Sequence, residues 1–131
     1  MNRSPRDMRT PLGRVRGFGS ARSGTEHFWH ERLTAVALVP LSFAAVLIVL
    51  SLLGRNHAAV VQILGSPIVA IVMLLFIGTM AYHMKLGMQV VIEDYVHEDA
   101  SKFALLIGNS FFCVVVALAA AYAILKLSFG V

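Results

Sequence analysis

One histidine lies inside an apolar stretch, with an acid and a phenol a few turns further on: Tyr82, His83, Met84, Lys85, Leu86, Gly87, Met88, Gln89, Val90, Val91, Ile92, Glu93, Asp94, Tyr95. An ionisable group within a membrane span is expensive to bury and marks function by default. His83 and Asp94 are eleven residues apart, which nearly eclipses them on one helix face at 100° per residue. The rise between them is about 16 Å, roughly half the hydrocarbon core of a bilayer. An imidazole near the midplane, with a carboxylate and a phenol at the surface on the same stripe, suits a haem below and a polar ligand site above.

The helical stripe through His83 carries Met80, Gly87, Val90 and Asp94. Gly87, one turn on, would let a flat macrocycle or a neighbouring helix approach closely. The bland alternative for His83 is a buried neutral imidazole hydrogen-bonded to a neighbour; another is a proton relay. Haem is the favoured ligand because imidazole is its commonest axial donor. No other histidine lies deep in an apolar segment, so a bis-histidine haem needs its second ligand from another chain.

Asp94 and Tyr95 end the same apolar run. A phenol can donate to a carbonyl oxygen and a carboxylate can relay protons, which is what a quinone needs as it is reduced. An ordinary helix end with an interfacial tyrosine explains the pair equally well. Arg32 follows Glu26, His27, Phe28, Trp29, His30 and Glu31 at the mouth of the first apolar run. It can clamp an anionic propionate or polarise a quinone oxygen, or serve as a flanking charge. Lys85 is read as snorkelling to the headgroups, with a counter-charge role as the alternative. His27 and His30 without a third ligand make no metal site.

These residues need a scaffold, and composition says which kind. Hydrophobic residues make up 58% of the 131, with a mean hydropathy of +0.78, beyond what a soluble domain of this size can hide. Three apolar runs are long enough to span: about 33–53 with Pro40 inside, 67–92 opening on Ser66 and Pro67, and 103–127 with Ser101 before it. The expected fold is all-α: one three-helix membrane bundle over residues 32–131, after a basic, disordered tail over residues 1–31. Seven of the eleven basic residues (Arg3, Arg6, Arg9, Arg14, Arg16, Arg22 and Arg32) precede the first span. Beside a membrane span this means orientation, with the N-terminus in the cytoplasm, and no nucleic-acid partner is expected. The polar start is no signal peptide, and a bacterial tail is favoured over a mitochondrial presequence. The single cysteine, Cys113, excludes an intrachain disulfide and an iron–sulfur cluster. No phosphate-cradling loop, metalloprotease motif or nucleophile with its base occurs, so the chain carries no complete active site.

The run from His83 to Asp94 and Tyr95, with the earlier Gly24, Thr25, Glu26, His27, Phe28, Trp29, Arg32, Leu33, Thr34 and Ala35, resembles the small hydrophobic membrane-anchor subunit of succinate dehydrogenase, respiratory complex II, in its alphaproteobacterial form. The resemblance covers roughly residue 17 to the C-terminus. It implies pairing with a second anchor subunit of the cytochrome b556 type, a shared haem b and a ubiquinone site. It also implies docking of iron–sulfur and flavoprotein subunits on the cytoplasmic face of a bacterial inner membrane. Carried over, the haem-iron ligand falls on His83 and the quinone tyrosine on Tyr95. The preceding acid falls on Asp94, and the arginine of the first span on Arg32. The extension before residue 17 lies outside the pattern. The rivals are an anchor for a fumarate reductase, a small proton-relay or transport bundle using His83 and Asp94, and a purely structural anchor.

Overall fold

The computed structural model describes residues 10–12 and 23–130. Its described residues form four helices: α1 Ser23–Leu52, α2 His57–Leu64, α3 Pro67–Tyr95 and α4 Asp99–Phe129. Three of them, α1, α3 and α4, are long and apolar enough to cross a membrane. The all-α, three-span expectation is met. The expected disorder of the tail falls largely on residues outside the described ones.

Each span is longer than its apolar run. α1 starts at Ser23, so residues 23–31, expected in the tail, are helix. Nothing from Thr25 to Arg32 breaks a helix. A span also gains by satisfying its backbone groups within its own segment as it leaves the apolar layer. Pro40 sits within this continuous helix. α3 keeps the expected start, with Pro67 at its first position, and runs on to Tyr95. Ser66 holds the N-cap backbone conformation but does not cap, because its hydroxyl donates to Ile63 O at 2.9 Å. α4 opens four residues before the expected Phe103, with Glu98 at the N-cap. Ser101 therefore lies in the first turn, donating to Glu98 Oε2 at 2.8 Å.

The segment between the first two spans is helical too. The chain leaves α1 through Gly54, whose φ of 71° favours glycine. Asn56 then caps α2, its Oδ1 accepting from Ala59 N at 2.9 Å. Eight residues are too few to span, and α2 packs instead across the ends of α1, α3 and α4.

The three spans form a row. α3 lies against both α1 and α4, while α1 and α4 do not touch among the described residues. Small side chains line the seams: Ala45, Ala70, Ala81 and Cys113 are buried, as are Leu86, Ile92 and Ile124. In lipid there is little hydrophobic drive between helices, so close approach through small residues supplies the packing. A polar link crosses the α3–α4 seam within the apolar length, Asn109 Nδ2 donating to Lys85 O at 3.0 Å. No polar side chain is fully buried among the described residues, and large apolar ones such as Leu33, Val36, Phe43, Phe111 and Phe112 face outward.

Gly65, where α2 turns into α3, shows the tightest approach. A Cβ there would lie 2.7 Å from Leu127 O and 2.9 Å from Val61 O, both backbone atoms that cannot swing away. Gly65→Ala is expected to destabilise the protein by about 1–3 kcal/mol, the usual range for overpacking. Thermal denaturation of the detergent-purified protein checks this, and an unchanged midpoint would mean that the α2–α4 contact is looser than described.

Candidate functional site

The chemistry-bearing residues gather on the seam between α1 and α3. Thr34 projects from α1, its Oγ1 2.9 Å from His83 Nδ1. One turn earlier on α1, His30 Nδ1 lies 3.2 Å from the Tyr82 hydroxyl, the two rings meeting edge to face at 6.0 Å. His30 and Thr34 are four residues apart and so share a helix face, and consecutive residues of α3 meet them. His27 continues the same face. Its Nε2 is buried and has no hydrogen-bond partner among the described residues.

His83 is half-buried. Its Nδ1 is engaged by Thr34, and its Nε2 makes no hydrogen bond among the described residues. A Cβ built on Gly87, one turn along the same face, meets nothing within 4 Å, so that face is open at Gly87. A ring oriented through one nitrogen with the other unpartnered has the chemistry that an axial ligand to a macrocycle-held iron would need. A bare metal ion would need more donors, and no group of three or more His, Cys, Asp or Glu residues gathers among the described residues.

The Thr34–His83 bond also sets depth. The apolar run of α1 begins at Leu33, so His83 lies level with its first turn rather than at the midplane. The midplane expectation centred His83 in a long apolar run. In the structure the last dozen residues of α3 run beyond that level, and they carry Lys85, Gln89, Glu93 and Asp94. Tyr95 stands twelve residues past His83, about 18 Å along the helix. Arg32 precedes Thr34 by two residues, about 3 Å.

Of the four expected site residues, the structure therefore brings Arg32 to the depth of His83. It leaves Asp94 and Tyr95 at the far end of α3. Arg32 is exposed, with its guanidinium 5.1 Å from the centre of the Phe28 ring. Asp94 and Tyr95 are exposed, Tyr95 by 79%, and neither side chain makes a hydrogen bond among the described residues. Nearby, Glu93 accepts from Gln89 at Oε1 (2.8 Å) and from Lys102 Nζ at its carbonyl (3.0 Å), which ties the end of α3 to the start of α4.

Sequence reasoning gave no role to Thr34 or to the Tyr82–His30 pair. A threonine and a tyrosine in apolar surroundings carry no signal alone. The i, i+4 spacing of His30 and Thr34, set against consecutive Tyr82 and His83, is the pattern that could have found them.

Known proteins share this chain's pattern over most of its length. The family model for the succinate dehydrogenase/fumarate reductase transmembrane subunit matches residues 6–117. The succinate dehydrogenase hydrophobic membrane anchor subunit of Paracoccus denitrificans is 31% identical over 121 residues, 92% of this chain and 93% of that protein. The corresponding subunit of Rickettsia bellii is 33% identical over 108 residues, 82% of this chain and 86% of that protein. The succinate dehydrogenase membrane anchor subunit of Reclinomonas americana is 27% identical over 88 residues, 65% of this chain and 73% of that protein. No solved structure matches the chain significantly. With three spans, an outward-facing apolar surface and a match over most of its length, the chain belongs to the family of succinate dehydrogenase and fumarate reductase transmembrane subunits, as a multi-pass membrane anchor of the succinate dehydrogenase kind.

Proposed function

We propose that this chain, with a second anchor subunit of the cytochrome b556 type, holds one haem b and forms part of a ubiquinone-reduction site in a bacterial inner membrane. Electrons from succinate enter through the flavoprotein subunit and reach the quinone through the iron–sulfur subunit. The observation that carries the proposal is the half-buried His83, oriented through Nδ1 by Thr34, with Nε2 unpartnered and open space at Gly87. His83 would hold the haem iron from one side, and a haem bound there supplies a one-electron redox centre beside the quinone route. A second ligand would come from the partner anchor, because the other histidines on this seam, His30 and His27, lie a turn or more of α1 from the Thr34–His83 level and His30 already meets Tyr82.

Each remaining residue has a role set by its place. Arg32, near the depth of His83, suits a haem propionate better than a quinone oxygen about 15 Å away along the helix. Tyr95 donates its hydroxyl proton in a hydrogen bond to a quinone oxygen. Asp94 passes protons from the aqueous side, two of them accompanying the two electrons that make the quinol. The exposure of both side chains leaves them free to meet a substrate and docking subunits. The arginine-rich start supports a cytoplasmic N-terminus for α1, and with it a cytoplasmic α3–α4 turn. The outward face of α1, with Leu33, Val36, Val39 and Phe43, is the natural seat for the second anchor, because α1 is covered by α3 on one side only.

The relay reading is less well supported. Gly87 and Val90 occupy the stripe between His83 and Asp94, which leaves no polar side chain to carry a proton across about 16 Å. The succinate direction is preferred over fumarate reduction because the named relatives are succinate dehydrogenase anchors. Mild-detergent purification of the tagged chain from its native membrane tests the proposal. Three further subunits and one b-type haem should co-purify. A chain recovered alone and without haem would overturn it.

A further inference from the structure

We infer that Thr34 is a positioning residue for His83: its hydroxyl accepts a hydrogen bond from Nδ1–H and so fixes the imidazole in the tautomer whose Nε2 carries the free lone pair. The inference rests on the reading of His83 as a haem-iron ligand and adds a residue to it.

The number of available protons fixes the tautomer. Thr34 Oγ1 has three polar neighbours: His30 O at 2.8 Å, Glu31 O at 3.0 Å and His83 Nδ1 at 2.9 Å. The hydroxyl has one proton. Both carbonyls can only accept, and a helical threonine returns its proton to the carbonyls three and four residues back. The oxygen then presents lone pairs to His83. A bare Nδ1 at 2.9 Å would set lone pair against lone pair, so Nδ1 must carry the hydrogen. A neutral imidazole protonated there has its lone pair on Nε2, the nitrogen that makes no hydrogen bond among the described residues.

Thr34 suits the task mechanically. Its β-branched side chain has few rotamers, and two back-bonds pin the oxygen, so the acceptor cannot swing away. The adjacent His30–Tyr82 contact ties the same two helix faces one turn nearer the N-terminus of α1. A ligating imidazole whose other N–H meets an oxygen acceptor is held in orientation and made more basic. A more basic ligand favours ferric over ferrous iron, so loss of the acceptor should raise the haem potential.

The test uses the purified complex carrying Thr34→Val, Thr34→Ser, Thr34→Cys or His83→Ala. Two quantities are measured: haem retained on challenge with a haem-scavenging globin, and the midpoint potential from a redox titration of the haem spectrum. Thr34→Val keeps the shape and removes the acceptor. It should weaken haem retention on the order of ten- to hundredfold. It should also raise the potential by about 59 mV for each tenfold change in the ferric-to-ferrous balance. Thr34→Ser should restore both values. Should the valine variant not assemble, Thr34→Cys, with a much weaker acceptor, must shift the potential the same way. Unchanged potential and retention in Thr34→Val or Thr34→Cys, with haem lost in His83→Ala, would overturn the role of Thr34 alone. An unchanged haem spectrum in His83→Ala would overturn the ligand reading beneath it.

Discussion

His83→Ala is expected to strip the b-type haem signal from the assembled complex. The substitution removes the ligand itself, so the loss should exceed the ten- to hundredfold typical of removing an outer partner of a metal ligand. It also leaves Thr34 Oγ1 facing a void, at a half-buried site near the edge of the apolar layer where water can fill the gap. Assembly should therefore suffer less than the spectrum. The check is a reduced-minus-oxidised spectrum normalised to flavin content. A normal spectrum would place the ligand on another residue and leave His83 as a hydrogen-bonded packing histidine.

Tyr95→Phe is the second large effect. The ring stays, so packing changes little; at 79% exposure there is little packing to lose. The hydroxyl goes, and with it a hydrogen bond to an oxygen that gains negative charge during reduction. Hydrogen bonds to charged groups contribute about 1.5–3 kcal/mol, which corresponds to roughly ten- to hundredfold in rate. Quinone reduction should fall by that factor, while succinate oxidation with a soluble artificial acceptor stays normal. Equal rates with both acceptors would remove Tyr95 from the quinone site.

Much of the fold was legible because lipid imposes a coarse rule: about 20 apolar residues make a span. That rule located α1, α3 and α4, and Pro67 marked the start of α3. It could not see where helices continue past the apolar layer, so residues 23–31 of α1 and the first turn of α4 were missed. It also passed over α2, whose only local signal was Asn56 at its cap. The row order, with α3 in the middle, depends on which faces pair, and apolar residues all round each helix hide that choice.

The site was legible in kind but not in depth. His83, Asp94 and Tyr95 stand on α3 as their spacing required. Asp94 and Tyr95 lie at the far end of α3, whereas the Thr34–His83 bond sets Arg32 near the histidine. No periodicity within one helix reveals the register between two, and this register is fixed by the pairs Thr34–His83 and His30–Tyr82.

The most direct test of the central claim is succinate–ubiquinone reductase activity in the mild-detergent eluate of this chain. The account predicts succinate oxidation coupled to quinone reduction by a complex that contains the chain. An eluate with the chain intact, no dehydrogenase subunits and no quinone-coupled activity would contradict it.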